Sequence, residues 1–351
     1  MRTLVRIVKL LTVSAILSGL AYYGWGLLRS KAASRVVAAA VSSAPAPSPT
    51  ALLDPLRPDA PALLDGERNA RADWVKARPG FQQSRSTVER GGVEPCATQA
   101  VDASSFEDSV SLGRGRLSWP RAFTSSQASQ LPLVIHLHGD EPVRRELIES
   151  GAQFALLTVT LPVSQSYAPL FNGPNRYRAL VTDAEQLLSK RLGRAITTSK
   201  VVLSAWSAGF VGIESALFQT DGKDVDAVVL IDGLHAPRKD RAAFEAQLKP
   251  FVEYARRAAD GQRFMFISHS SIDPPDFAST TECVHYLLGA LGVAPQAVKR
   301  SDRFGLDLVE FFSRGELHVR GYAGNGKPDH CAQLALLRDV YRLLGQRWAA
   351  K

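Results

Sequence analysis

Cysteine is scarce in this chain, with three in 351 residues: Cys96, Cys283 and Cys331. Their spacing matches no zinc-finger or C-x-x-C redox pattern, so neither chemistry is expected from them. Acidic residues are missing from the start. No Asp or Glu precedes Asp54, whereas Arg2, Arg6, Lys9, Arg29, Lys31 and Arg35 supply six of the eight net positive charges. The high pI therefore belongs to one end of the chain rather than to a basic face, and no nucleic-acid partner is expected. No internal repeat is present, which removes repeat architectures.

What is present divides into three stretches. Residues 1–35 contain Leu10–Leu28, nineteen residues without a charge, preceded by basic residues and carrying Tyr22, Tyr23 and Trp25 near the outer end. That length and flanking predict a signal-anchor helix crossing a membrane, with the rest of the chain outside the cytoplasm, in a bacterium the periplasm. A cleaved signal releasing a secreted protein is the alternative. Residues 36–100 form a Pro/Ala-rich linker and extension, with prolines at 45, 47, 49, 55, 58 and 61 that favour a semi-rigid spacer. Residues 101–351 alternate apolar runs of strand length with segments of helical period. This pattern predicts an α/β domain with a doubly wound, mostly parallel sheet covered on both faces. If the domain is exported, Cys283 and Cys331 are the best-placed disulfide pair, with buried free thiols as the alternative.

The centre of the domain is Val201–Phe210, V-V-L-S-A-W-S-A-G-F: a buried strand, a turn of small residues around Ser207, then a helical pattern. Ala205 and Gly209 flank the serine two residues away on either side, small enough to let strand and helix approach. This run resembles the nucleophile elbow of the α/β-hydrolase family, with an alanine replacing the first glycine of G-x-S-x-G. The resemblance extends over about 250 residues. It implies a serine hydrolase of carboxylic esters, working through an acyl-enzyme and a Ser-Asp-His triad and needing no cofactor or metal. Its substrate would be a small molecule or a cell-envelope ester.

The family order is Ser, then acid, then His. Ser207 takes the first place, and His330 follows the last strand in G-K-P-D-H-C. For the acid, Asp273 is preferred, because His269 and Asp273 keep the family's H-G-x-x-D spacing; Asp232, one strand earlier, is the alternative. The run L-H-L-H-G-D resembles the family's oxyanion loop, so the backbone N–H groups of Asp140 and Ala208 are the expected donors. His138 is expected to brace that loop, and Tyr167 and Phe171 to wall the substrate site. Two other readings stay open: a non-catalytic binding or scaffold domain on the same fold, and a metal-dependent hydrolase using the H-x-H-x-D run at His136, His138 and Asp140. His235, His269, His285 and His318 have no partner recognisable in the sequence and are expected to be structural.

Overall fold

The computed structural model describes residues 102–171, 173–324 and 326–349. The expected anchor and linker lie outside the described residues, and among these no helix is long and apolar enough to cross a membrane. The strands are β1 (Val110–Leu112), β2 (Gly115–Ser118), β3 (Gln130–Leu137), β4 (Ala155–Val159), β5 (Thr197–Trp206), β6 (Ala227–Ile231), β7 (Ala236–Pro237), β8 (Phe264–Ser270), β9 (Phe277–Ala278), β10 (Gln296–Ser301), β11 (Asp307–Arg314) and β12 (Leu317–Tyr322). The helices are α1 (Arg121–Ser125), α2 (Glu141–Ser150), α3 (Arg176–Leu192), α4 (Phe210–Thr220), α5 (Arg241–Ala259), α6 (Thr280–Ala290), α7 (Lys327–Ala332) and α8 (Leu336–Ala349).

Ten strands form one sheet in the order β1-β2-β4-β3-β5-β6-β8-β12-β11-β10. Strands β4, β3, β5, β6, β8 and β12 run parallel, and the hairpins β1–β2 and β10–β11 close the two edges antiparallel. The parallel strands β4 and β6 are apolar and buried throughout because both of their faces are covered. On β6, Val228 and Leu230 face one core with residues of α3, α4, α5 and α6, while Ala227, Val229 and Ile231 face the other with α2 and α8. Each such valine, leucine or isoleucine, fully withdrawn from water, contributes roughly 1.5–3 kcal/mol before entropy is counted.

The hairpin β10–β11 extends the sheet past the strand expected to be its last, so β12 lies inside the sheet and not at its edge. The expected loop ending at His330 is also replaced. Pro328 stands in the first turn of α7, where its missing N–H is harmless, and His330 sits within that short helix. The Cys283–Cys331 pairing does not form: Cys283 is a free, buried thiol. Cys331 is disulfide-bonded. Cys283 is buried in the core among α5 and α6 side chains, whereas Cys331 is on α7 beside His330, so the two serve different layers.

Candidate active site

The parallel strands end at one edge, and the candidate residues gather there. Ser207 follows β5 directly and has φ +51°, a left-handed backbone that is uncommon for a non-glycine residue and stores strain on the order of 1–3 kcal/mol. The turn survives because its neighbours are small. A Cβ on Gly209 would stand 2.0 Å from the Leu137 carbonyl oxygen of β3, so nothing larger than glycine fits. Ala205 is fully buried, where a methyl group is accommodated. Ser207 itself is half-buried at the head of α4.

Asp232, the residue after β6, has φ +42° and is 1% exposed. One carboxylate oxygen accepts the Ser270 N–H at 2.8 Å and the Thr280 hydroxyl at 2.7 Å. The other accepts His330 Nδ1–H at 2.7 Å. Burial pushes the Asp232 carboxyl up, but the His330 imidazole and these hydrogen bonds outweigh it and hold the group down at about 2. The next residue, Gly233, lies against the backbone of Ser207, where a Cβ would come within 2.8 Å of the serine nitrogen. The Asp232 turn and the elbow are thus in direct contact.

His330 gives its Nδ1 proton to Asp232, so Nε2 carries the lone pair able to take a proton from a hydroxyl. No hydrogen bond joins Ser207 to His330 among the described residues; such bonds are often loose before substrate enters. The imidazole is held by Trp206, which stacks on it with ring centroids 4.7 Å apart and donates Nε1–H to the His330 carbonyl at 3.2 Å. Trp206 also packs against His138, with ring centroids 5.3 Å apart. Sequence reasoning missed Trp206, although a large aromatic between the two small residues of A-W-S was a visible signal.

The loop after β3 is fixed from below. His136 is fully buried, and burial pushes its pKa down to about 3, so it is neutral. Its Nε2–H donates to the His138 carbonyl at 3.0 Å, and Nδ1 accepts from the Ser204 hydroxyl at 2.8 Å. This holds His138 at φ +75° and Gly139 at φ +106° and sets Asp140 at the start of α2. N–H groups at a helix start have no intrahelical acceptor. Asp140 caps α2 and Ala208 lies in the turn leading to α4, so neither N–H has an acceptor within its own helix.

Three expectations are corrected. Asp273 does not reach His330; its carboxylate, with 39% of the side chain exposed, is paired to Arg238. Tyr167 and Phe171 do not wall an open site but are 0% and 2% exposed. The Tyr167 hydroxyl accepts the Leu161 N–H at 2.7 Å and joins His138 Nδ1 at 2.9 Å, so it braces the loop after β3. The H-x-H-x-D donors do not converge on a point. Both His136 nitrogens are engaged as above, and the Asp140 carboxylate accepts from Thr158 at 2.6 Å. His235, expected to be structural, hydrogen-bonds the Ala278 carbonyl at 3.1 Å.

The strand order, the serine elbow between β5 and α4, and the acid and histidine after later strands define an α/β-hydrolase fold. No family profile and no curated protein matches the chain. Among solved structures, a ferulic acid esterase superposes with a TM-score of 0.44 at 14% identity, over 69% of this chain and 98% of its own. The enterobactin esterase from Shigella flexneri gives 0.44 at 13%, over 73% and 63% respectively, and the esterase Est22 gives 0.39 at 13%, over 80% and 97%. Likenesses this distant assign no activity to the present chain.

Proposed function

We propose that the protein is a serine hydrolase acting on carboxylic esters. The observation that carries this reading is the buried Asp232–His330 pair, 2.7 Å apart, on the turn that touches the strained Ser207 elbow. In the proposed reaction the Ser207 hydroxyl oxygen attacks the ester carbonyl carbon while His330 Nε2 takes its proton. Asp232 stays ionised, fixes the tautomer and stabilises the imidazolium. The N–H groups of Ala208 and Asp140 receive the carbonyl oxygen as it gains charge. The alcohol leaves with the proton from His330, and water repeats the sequence on the acyl-serine to release the acid. Ester is preferred to amide by analogy with the fold alone.

The test is labelling of the full chain by a fluorophosphonate together with turnover of an activated ester. Modification at Ser207, and loss of about three or more orders of magnitude in turnover in Ser207→Ala, are expected. A folded wild-type protein inert to both would leave the binding or scaffold reading in its place.

The same proposal sets the domain outside the cytoplasm, tethered through Leu10–Leu28. The disulfide at Cys331 supports it, since such bonds persist in oxidising compartments. Full-length protein is expected in the membrane fraction of cells. A soluble mature chain beginning near Val41 would show instead that the segment is a cleaved signal.

A further inference from the structure

A second histidine–carboxylate cluster spans β8 to β11, beginning one strand beyond β6. His269 on β8 and Glu310 on β11 are both cross-strand partners of Gly321 on β12, which runs between them. Side chains on strands two apart meet only if the strand between leaves room, and Gly321 does so: a Cβ there would stand 2.4 Å from His269 Cε1 and 2.5 Å from Glu310 Cγ. His285 reaches in from α6. Its Nε2 is 2.7 Å from Glu310 Oε1, and His269 Nε2 is 2.9 Å from the same oxygen. His269 and Glu310 are 2% and 3% exposed.

The protons of this cluster do not close on themselves. Thr281 donates its hydroxyl proton to the Ser270 carbonyl at 2.7 Å, so its oxygen accepts His269 Nδ1–H at 2.8 Å. With Nδ1 donating, the neutral form of His269 carries its lone pair on Nε2, facing a Glu310 carboxylate oxygen. Nε2 is left without a hydrogen-bond partner despite the short distance to Glu310. Two electron-rich atoms this close favour a positive charge beside them, which a bound cation can supply.

We propose that His269, His285 and Glu310 form a binding site for a single divalent transition-metal ion of the zinc class. Their three ligand atoms lie within 4.8 Å of one another. Ligand atoms around a tetrahedral zinc with bonds of about 2.0–2.1 Å stand about 3.3 Å apart, so each imidazole nitrogen has to move roughly half an ångström from the Glu310 oxygen while the two nitrogens draw together. Two imidazoles and one carboxylate select zinc and its neighbours over magnesium or calcium. The Thr281 oxygen fixes the His269 tautomer as outer partners of metal ligands do. The fourth position belongs to water, which reaches the cluster from a cavity of about 440 Å³ lined by Arg238, Phe244, His285 and Tyr286. Arg238 in that cavity is neutralised by Asp273 and Glu282 and does not oppose the ion. An ion held here joins β8, β11 and α6, and so braces Ser270 and Thr280, which hold Asp232.

The experiment uses the purified full chain, stripped with a chelator and titrated with zinc chloride and, separately, cobalt chloride. One zinc per chain retained through gel filtration and a tetrahedral cobalt absorption band are expected, with at least about ten-fold weaker binding in Glu310→Gln and in His285→Gln. Should Glu310→Gln fail to fold, His285→Gln carries the comparison, because His285 is on a helix and 19% exposed. Wild-type protein that retains no zinc and gives no cobalt band overturns the proposal and leaves a protonated histidine–glutamate pair. Binding undiminished in the folded variants also overturns it, by placing the ion elsewhere.

Discussion

Asp232 and Asp273 leave neighbouring strands, β6 and β8, in the same region of the fold, and their surroundings are opposite. Asp232 is buried, receives the Ser270, Thr280 and His330 donors and is held at about 2. Asp273 is partly exposed and answers a surface arginine. A carboxylate can orient a histidine only where water does not compete for it and where its remaining lone pairs are satisfied. The β6 turn meets both conditions. The β8 loop meets neither, because Ser270, Ser271 and the strand end are spent on Asp232 and the Tyr322 carbonyl before the chain reaches Asp273.

The largest effect that can break this comparison is a pair of asparagine substitutions. Asp232→Asn keeps the shape but presents an amide to His330 Nδ1, favouring the wrong tautomer; a fall of about three to four orders of magnitude in ester turnover is expected. Asp273→Asn removes one surface ion pair, worth no more than about 1 kcal/mol of stability, and turnover within about two-fold of wild type is expected. Steady-state kinetics on both proteins decide it. The reverse pattern would return the acid to Asp273 and leave the Asp232–His330 contact without a catalytic role.

The sequence made some of this legible and hid the rest for physical reasons. The elbow, the alternating strands and helices, and the G-K-P-D-H-C segment are local signals, since each depends on residues within a few positions of one another. The carboxylate that pairs with His330 was not local. The spacing from His269 to Asp273 imitated a family pattern, but His269 is committed to Thr281 and faces Glu310, contacts made only when α6 and β11 fold onto β8. The hairpin β10–β11 was passed over for a related reason. On β11, Leu308, Glu310 and Phe312 share the buried face, and a glutamate in that row breaks the apolar alternation that marks a strand. That same glutamate, with Gly321 beside it, is the core of the second cluster, so the place where the pattern failed is the place with its own chemistry.

A third carboxylate sharpens the comparison, because it is enclosed with fewer donors than Asp232. Glu214 lies on α4, hydrogen-bonded to Gln247 of α5, and burial raises it from 4.5 to about 7. Where Asp232 has a cation-forming histidine and two further donors, Glu214 has one amide, so desolvation wins here and loses there. The sign follows from proton counting. Between about pH 4.5 and 7 the folded chain holds a proton that the unfolded chain has released, so stability falls as pH rises through that window. Below it both states are protonated and the group is neutral to stability; above it the full penalty applies. Glu214→Gln keeps an amide partner for Gln247 and removes the ionisable group. It is expected to stabilise the protein by about 1–2 kcal/mol near pH 8, less than the full shift implies because Glu214 is partly open to solvent, and by nothing near pH 4. Urea unfolding of both proteins at the two pH values measures this. An equal gain at both would mean that the substitution acts through packing, and that Glu214 is not the reverse of Asp232.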